Sequence, residues 1–135
     1  MIYAVIDTNV FVSAYLTHNL DSATTKVVAH LFNGHIKLLY NDEILSEYRD
    51  VLSRSYLHIS KEEQSTLLEY IVQSGTNVER TPSEKNFIDE DDRIFYEVAL
   101  SKEDSFLVTG NLKHYPNEPH VVTPAQMLQI IETTH

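Results

Sequence analysis

The sequence has no cysteine, so disulfides and thiolate-held metals are excluded from the start. Its three glycines, Gly34, Gly75 and Gly110, are too scattered to form a phosphate-cradling loop, which argues against a P-loop enzyme. No apolar run approaches the roughly 18 residues that a membrane-spanning helix needs. The N-terminus enters an apolar strand pattern at once, without the basic segment of a secretion signal. Basic residues are scarce: Lys and Arg number 10 against 20 Asp and Glu, a formal net charge of −10. Such a surface repels polyanions at long range and argues against a duplex-coating or broadly non-specific nucleic-acid binder. An enzyme that meets phosphate through a bound divalent cation stays open, because the ion reverses the local sign. The expectation is a cytoplasmic protein with one domain over residues 1–135, a size that buries about two-thirds of the unfolded surface.

What is present is ordered around Ile2–Ile6, an unbroken apolar and aromatic run of the kind that forms a parallel strand buried on both faces. It stops at Asp7, with Thr8 and Asn9 following before apolar character resumes. In open α/β sheets, ligands bind beyond the carboxyl ends of the strands, where strand order reverses. Asp7 therefore places a charge at the expected active edge.

The rest of the chain alternates helix and strand patterns. Asp21–Asn33 carries Val27, Val28, Leu31 and Phe32 at helical spacing and ends at Gly34. Ile36–Tyr40 reads as a second strand. Asn41 or Asp42 opens a helix to about Ser53, striped by Ile44, Leu45, Tyr48, Val51 and Leu52. Ser60 to Glu63 is a capping box ahead of a helix that closes at Gly75. A short strand is expected near Val78, a polar loop over Thr81–Asn86, and a helix led by Asp89–Asp92 with Ile94, Phe95, Val98 and Ala99 inward. Ser105–Val108 and His120–Val122 read as strands, separated by a loop over 112–119, and Thr123-Pro124 starts a final helix. This alternation predicts parallel βαβ units with right-handed crossovers, an α/β/α sandwich around a parallel sheet of four to five strands. No internal repeat, linker or low-complexity segment interrupts it.

Three further groups carry chemistry. Glu47 sits at the margin of its helix's apolar stripe, where it either points along the sheet edge or is an ordinary solvated glutamate. Asp89, Glu90, Asp91 and Asp92 form the densest acidic run. Acids at a helix N-terminus cap orphan N–H groups, but capping needs one or two. Four adjacent carboxylates repel unless some are protonated or a cation is shared. Thr109-Gly110-Asn111 ends its strand as Asp7-Thr8-Asn9 ends the first, and it is either part of a polar pocket or an ordinary turn. The histidines show no ligand spacing; His18, His30, His35, His58 and His135 read as surface or partly packed residues.

In this order, Val5-Ile6-Asp7-Thr8-Asn9-Val10 with Ser13, Ile44-Leu45-Ser46-Glu47-Tyr48 with Val51-Leu52, Asp92 with Phe95 and Ala99, and Leu107-Val108-Thr109-Gly110-Asn111 with His114-Tyr115 make the chain resemble the PIN-domain nucleases, particularly their toxin-like (VapC-type) branch. The resemblance spans essentially the whole sequence. It implies a Mg²⁺-dependent endoribonuclease, with Mn²⁺ as an alternative ion, acting on single-stranded RNA. It also implies homodimers and, in toxin–antitoxin pairs, a small antitoxin partner. The family's three core acids fall on Asp7, Glu47 and Asp92 as metal and catalytic residues, the third set by its register with Ala99; Asp89 remains an alternative ligand. The fourth acidic position falls on Asn111, which offers an oxygen without charge and so departs from members carrying Asp there.

The residues themselves agree with that implication. Oxygen donors without His or Cys select Mg²⁺ or Mn²⁺ over zinc. Thr8, Asn9, Thr109 and Asn111 are placed to fix the carboxylates. Arg93, Lys113 and His114 are candidate phosphate contacts, and Tyr96 and Tyr115 are candidates for base stacking or for the core. An aspartate-nucleophile phosphotransferase is disfavoured because position 9 is Asn rather than a second acid. The non-enzymatic rival is a catalytically silent PIN-fold binding module, encouraged only by Asn111.

Overall fold

A computed structural model describes residues 1–134; His135 lies outside them. The elements follow in the order β1 (Ile2–Ile6), α1 (Thr8–Leu16), α2 (Ala23–Phe32), β2 (Ile36–Tyr40), α3 (Asp42–Leu52), α4 (Lys61–Ser74), β3 (Thr76–Asn77), α5 (Arg93–Leu100), β4 (Phe106–Val108), β5 (Val121–Val122) and α6 (Pro124–Thr134), with short 3₁₀ turns at Ser55–Leu57, Glu90–Asp92 and Leu112–His114. The five strands form one parallel sheet in the order β3-β2-β1-β4-β5. Helix α5 lies against β1, β2 and β4 with α3 beside it, while α2 packs on β2, α6 and α1. The architecture is the expected three-layer α/β/α sandwich.

The apolar runs go where their patterns direct them. Ala4, Val5, Ile6, Leu39, Ile44, Leu52, Phe95 and Leu107 are fully buried. Local signals set the helix starts: Asn41 Oδ1 accepts from Ile44 N at 2.8 Å, and Ser60 with Glu63 forms a complete capping box. After α2, Gly34 takes a φ of +81°, the left-handed conformation that commonly follows a helix end. The second helix starts two residues later than its apolar spacing alone suggests, because Ser22 rather than Asp21 supplies the cap. The strand expected near Val78 lies at Thr76–Asn77, and Val78 N still donates to Tyr40 O at 2.9 Å.

Helix α1 is the element that residue preference concealed. Thr8, Val10 and Val12 are β-branched and alternate in a strand-like way. The segment is nonetheless helical because Asp7 caps it and Val10 and Phe11 drop into the core. Tertiary burial overrides a weak propensity.

Strand β1 is the hinge of the topology. β2 continues on one side of it and β4 pairs on the other, with Ile6 opposite Val108 and Asp7 N donating to Val108 O at 2.9 Å. That reversal of strand order lies at the carboxyl ends of β1 and β4. The fully buried Tyr48 of α3 donates its hydroxyl to the Ile6 carbonyl, tying the helix that carries Glu47 to the residue before Asp7. Tyr48→Phe keeps the ring and removes this donor, and it should cost about 1–3 kcal/mol. Urea unfolding at pH 7 measures it; an unchanged midpoint would mean that the bond contributes nothing.

Candidate active site

Asp7 is 6 % exposed, and its Oδ2 accepts two hydroxyl hydrogen bonds, from Tyr115 at 2.8 Å and Thr109 at 3.0 Å. Its Oδ1 receives only a long bond from Asn9 N, at 3.4 Å. No basic side chain pairs with it among the described residues. Burial pushes its pKa up, while Tyr115, Thr109 and Asn9 partly restrain the rise. The donors belong to a small relay: Asn111 N donates to Thr109 Oγ1 at 3.0 Å, and Gly110 N donates to Asn9 Oδ1 at 3.1 Å, lacing the end of β4 to the end of β1.

Glu47 is half-buried, and Thr8 donates to its Oε2 at 2.6 Å. Burial raises its pKa, Thr8 opposes the rise, and the charges of Asp7, Asp91 and Asp89 add to it. Its neighbour one turn back, Glu43, stays exposed and pairs with Arg80 at 2.8 Å.

The four consecutive acids divide their work. Asp89 caps the 3₁₀ turn, accepting from Asp91 N at 3.0 Å. Glu90 pairs with Arg93 at 2.6 Å. Asp91 is exposed and lines an open groove of about 770 Å³ that it shares with Glu47. Asp92 alone turns inward, half-buried, with Oδ2 3.2 Å from His114 Nδ1. Burial first, then the charges of Asp7 and Asp89, push its pKa to about 6, with His114 acting against them. The phenol of Tyr115 is pushed up by burial and by Asp7, Asp92 and Glu47 together, so one buried group senses all three carboxylates.

Asp7, Glu47 and Asp92 thus occupy one electrostatic environment beside the β1–β4 switch. Each has one oxygen held or approached by a side-chain partner (Tyr115 and Thr109, Thr8, and His114) and a second that no side chain of the described residues engages by a hydrogen bond. Among the described residues, however, no three acid or histidine side chains close into a ready-made metal cage. The chemistry of the donor set fits a hard divalent ion, because the unengaged donors are all carboxylate oxygens.

Other expectations resolve differently. Arg93 is committed internally: it donates to the carbonyls of Ser83 at 2.7 Å and Lys85 at 2.8 Å, pairs with Glu90, and lies 4.8 Å over the Phe87 ring. It is a brace for the preceding segment rather than a group turned to phosphate. Tyr96 is 2 % exposed and donates to Glu118 at 2.6 Å, and Tyr115 is 6 % exposed on Asp7, so neither presents a stacking face. Lys113 is exposed on the turn after Asn111. Asn111 is half-buried and joins the site through its backbone N–H. The roles of Tyr115 and His114 as partners of Asp7 and Asp92 carry no sequence signal beyond their closeness to Thr109-Gly110-Asn111.

The sequence model of the PIN domain matches residues 3–113, spanning all of these acids. The chain belongs to the PIN domain family. PIN domains are generally nucleases, so the buried acids sit in a fold associated with hydrolysis of nucleic acid. No curated protein matches the chain. No helix among the described residues is long and apolar enough to cross a membrane.

The raised pKa of Asp92 has a definite sign in stability. Its folded-state value of about 6 lies above the ordinary 3.8, so the folded protein holds that proton more tightly than the unfolded chain. The resulting stabilisation is full below about pH 4 and is lost as pH rises through about 6. Without divalent ions, Asp92→Asn should therefore be more stable than the wild type at pH 7, by about 1 kcal/mol once solvent screening of a partly exposed group is allowed for, with the gap closing towards pH 4. Thermal unfolding across that range checks it; a gap independent of pH would remove Asp92 from the repelling group.

Proposed function

We propose that this chain is a single-domain PIN endoribonuclease that cleaves single-stranded RNA with Mg²⁺, or Mn²⁺, held by Asp7, Glu47 and Asp92. The observation that carries the reading is the set of three acids with raised pKa values at the β1–β4 switch, none paired with a lysine or arginine. A bound divalent ion would supply charge stabilisation for the scissile phosphate and a more acidic water.

The chain's own residues provide the rest. Tyr115 and Thr109 hold one oxygen of Asp7, and the other receives only the long bond from Asn9 N at 3.4 Å. Thr8 steadies Glu47, whose raised pKa suits a group that accepts a proton from an attacking water. Asn111 offers a neutral oxygen where a fourth acid would add charge, which favours fewer bound ions. Lys113, exposed beside that turn, is a candidate phosphate contact. A silent binding module is less favoured: it would keep three self-repelling carboxylates at a cost to folding without using them.

The toxin role, the small antitoxin partner, the homodimer and the cytoplasmic setting rest on the resemblance to the toxin-like branch. Single-stranded RNA is preferred over duplex because the acidic surface disfavours coating a polyanion and a separated strand can thread to a recessed site.

The test is cleavage of a labelled single-stranded RNA with Mg²⁺ and with EDTA. Wild type should cut only with the ion, and Asp7→Asn should fall to the no-enzyme background while remaining folded. Wild-type activity in Asp7→Asn would overturn the site assignment. Millimolar Mg²⁺ should also raise the melting temperature, as binding linkage requires. Calorimetry should find tighter Mg²⁺ binding in Asn111→Asp; unchanged affinity would place that side chain outside the ion's reach.

A further inference from the structure

The geometry points to Tyr115 as a positioning residue that aims the Asp7 carboxylate through its phenol hydroxyl, an inference that rests on the metal-dependent reading of the site. A carboxylate on a short side chain rotates about its last bond unless an oxygen is held. Here Oδ2 is held twice, by Tyr115 at 2.8 Å and by Thr109 at 3.0 Å, and all three residues are buried. Two donors on one oxygen fix the plane of the group and leave Oδ1 with only the long 3.4 Å bond from Asn9 N.

The type of donor matters as much as its position. A lysine or arginine at the same place would also hold Oδ2, but it would neutralise the carboxylate and weaken its attraction for a divalent ion. A phenol orients the group while leaving its negative charge in place. Groups behind metal-binding carboxylates act in this way by fixing orientation.

The ring has its own support. Phe87 meets Tyr115 edge-on, with centroids 6.1 Å apart at 85°, and meets Tyr96 at 5.5 Å and 64°. Arg93 covers the Phe87 ring and binds two carbonyls of the same segment. The long irregular stretch before the Asp89–Asp92 run thereby backs the phenol that faces Asp7. Bracing of this kind confines the hydroxyl to one location, which is what positioning requires.

The experiment compares wild type with Tyr115→Phe, which keeps the ring and its packing on Phe87. Mg²⁺ alone is titrated by calorimetry, melting temperature is measured without the ion, and kcat and KM are determined separately on a labelled single-stranded RNA. The expected result is a dissociation constant for Mg²⁺ raised by about 10–100-fold. At limiting Mg²⁺, kcat should fall while KM for RNA stays unchanged, in a protein that still unfolds cooperatively. Phe87→Leu should shift Mg²⁺ affinity in the same direction by less. Wild-type Mg²⁺ affinity in Tyr115→Phe overturns the inference while leaving the nuclease reading standing, and so does loss of binding only together with loss of the fold. Absence of Mg²⁺ binding by the wild type overturns the metal-dependent reading itself, and the inference falls with it.

Discussion

The rest of the site depends on a carboxylate buried without a counter-charge. Asp7 is almost wholly removed from water, yet its partners are two hydroxyls and one distant backbone N–H. Neutral hydrogen bonds recover part of the lost hydration, and an unpaired ion in a low-dielectric interior still carries a large penalty. Folding tolerates this because β1 is fixed independently, by its ladders to β2 and β4 and by the Tyr48 hydroxyl on the Ile6 carbonyl. Backbone pairing thus delivers the side chain to a place that the side chain alone would avoid.

Glu97 provides the contrast within the same protein. It lies on α5, soon after Asp92, and is as buried as Asp7. Burial would raise its pKa, but the Ser83 N–H, Arg80 at 2.8 Å and Arg93 at 3.5 Å outweigh that and hold it below the ordinary value. Arg80 also takes Glu43, and Arg93 takes Glu90. In a chain with only 10 lysines and arginines, two arginines near the site are therefore spent on other acids. One buried glutamate is neutralised by the protein and behaves as structure. The three site carboxylates have no such lysine or arginine partner among the described residues.

Much of this was legible in residue order. Asp7 stood out because an apolar run ended on it, and Glu47 because it edged an apolar stripe. Asp92 was set apart from its three acidic neighbours only by the family resemblance, through its register with Ala99; in the structure Asp89 caps the 3₁₀ turn, Glu90 pairs with Arg93 and Asp91 stays exposed. Helix α1 was hidden by the β-branched residues Thr8, Val10 and Val12, whose burial outweighs their preference. The contact of Tyr115 with Asp7 joins residues 108 positions apart, and no local pattern encodes it. Arg93 looked like a phosphate contact because its charge is visible in sequence and its five donors' destinations are not. Strand ends and helix faces are local properties; hydrogen-bond partners across a parallel sheet are settled only by register.

Under the proposed nuclease reading, register also accounts for how an acidic protein would meet a polyanionic substrate. Long-range attraction for RNA is weak when net charge is −10, so association must gain its free energy at short range. The β1–β4 pairing gathers the acid from one strand end and the Thr109-Gly110-Asn111 turn from the other, with the exposed Lys113 two residues beyond. A divalent ion at such a point would turn a repulsive spot into an attractive one for phosphate. Under the proposed reading, affinity for substrate would be conditional on the ion, which would confine strong phosphate binding to the place where the protein's own groups are aimed.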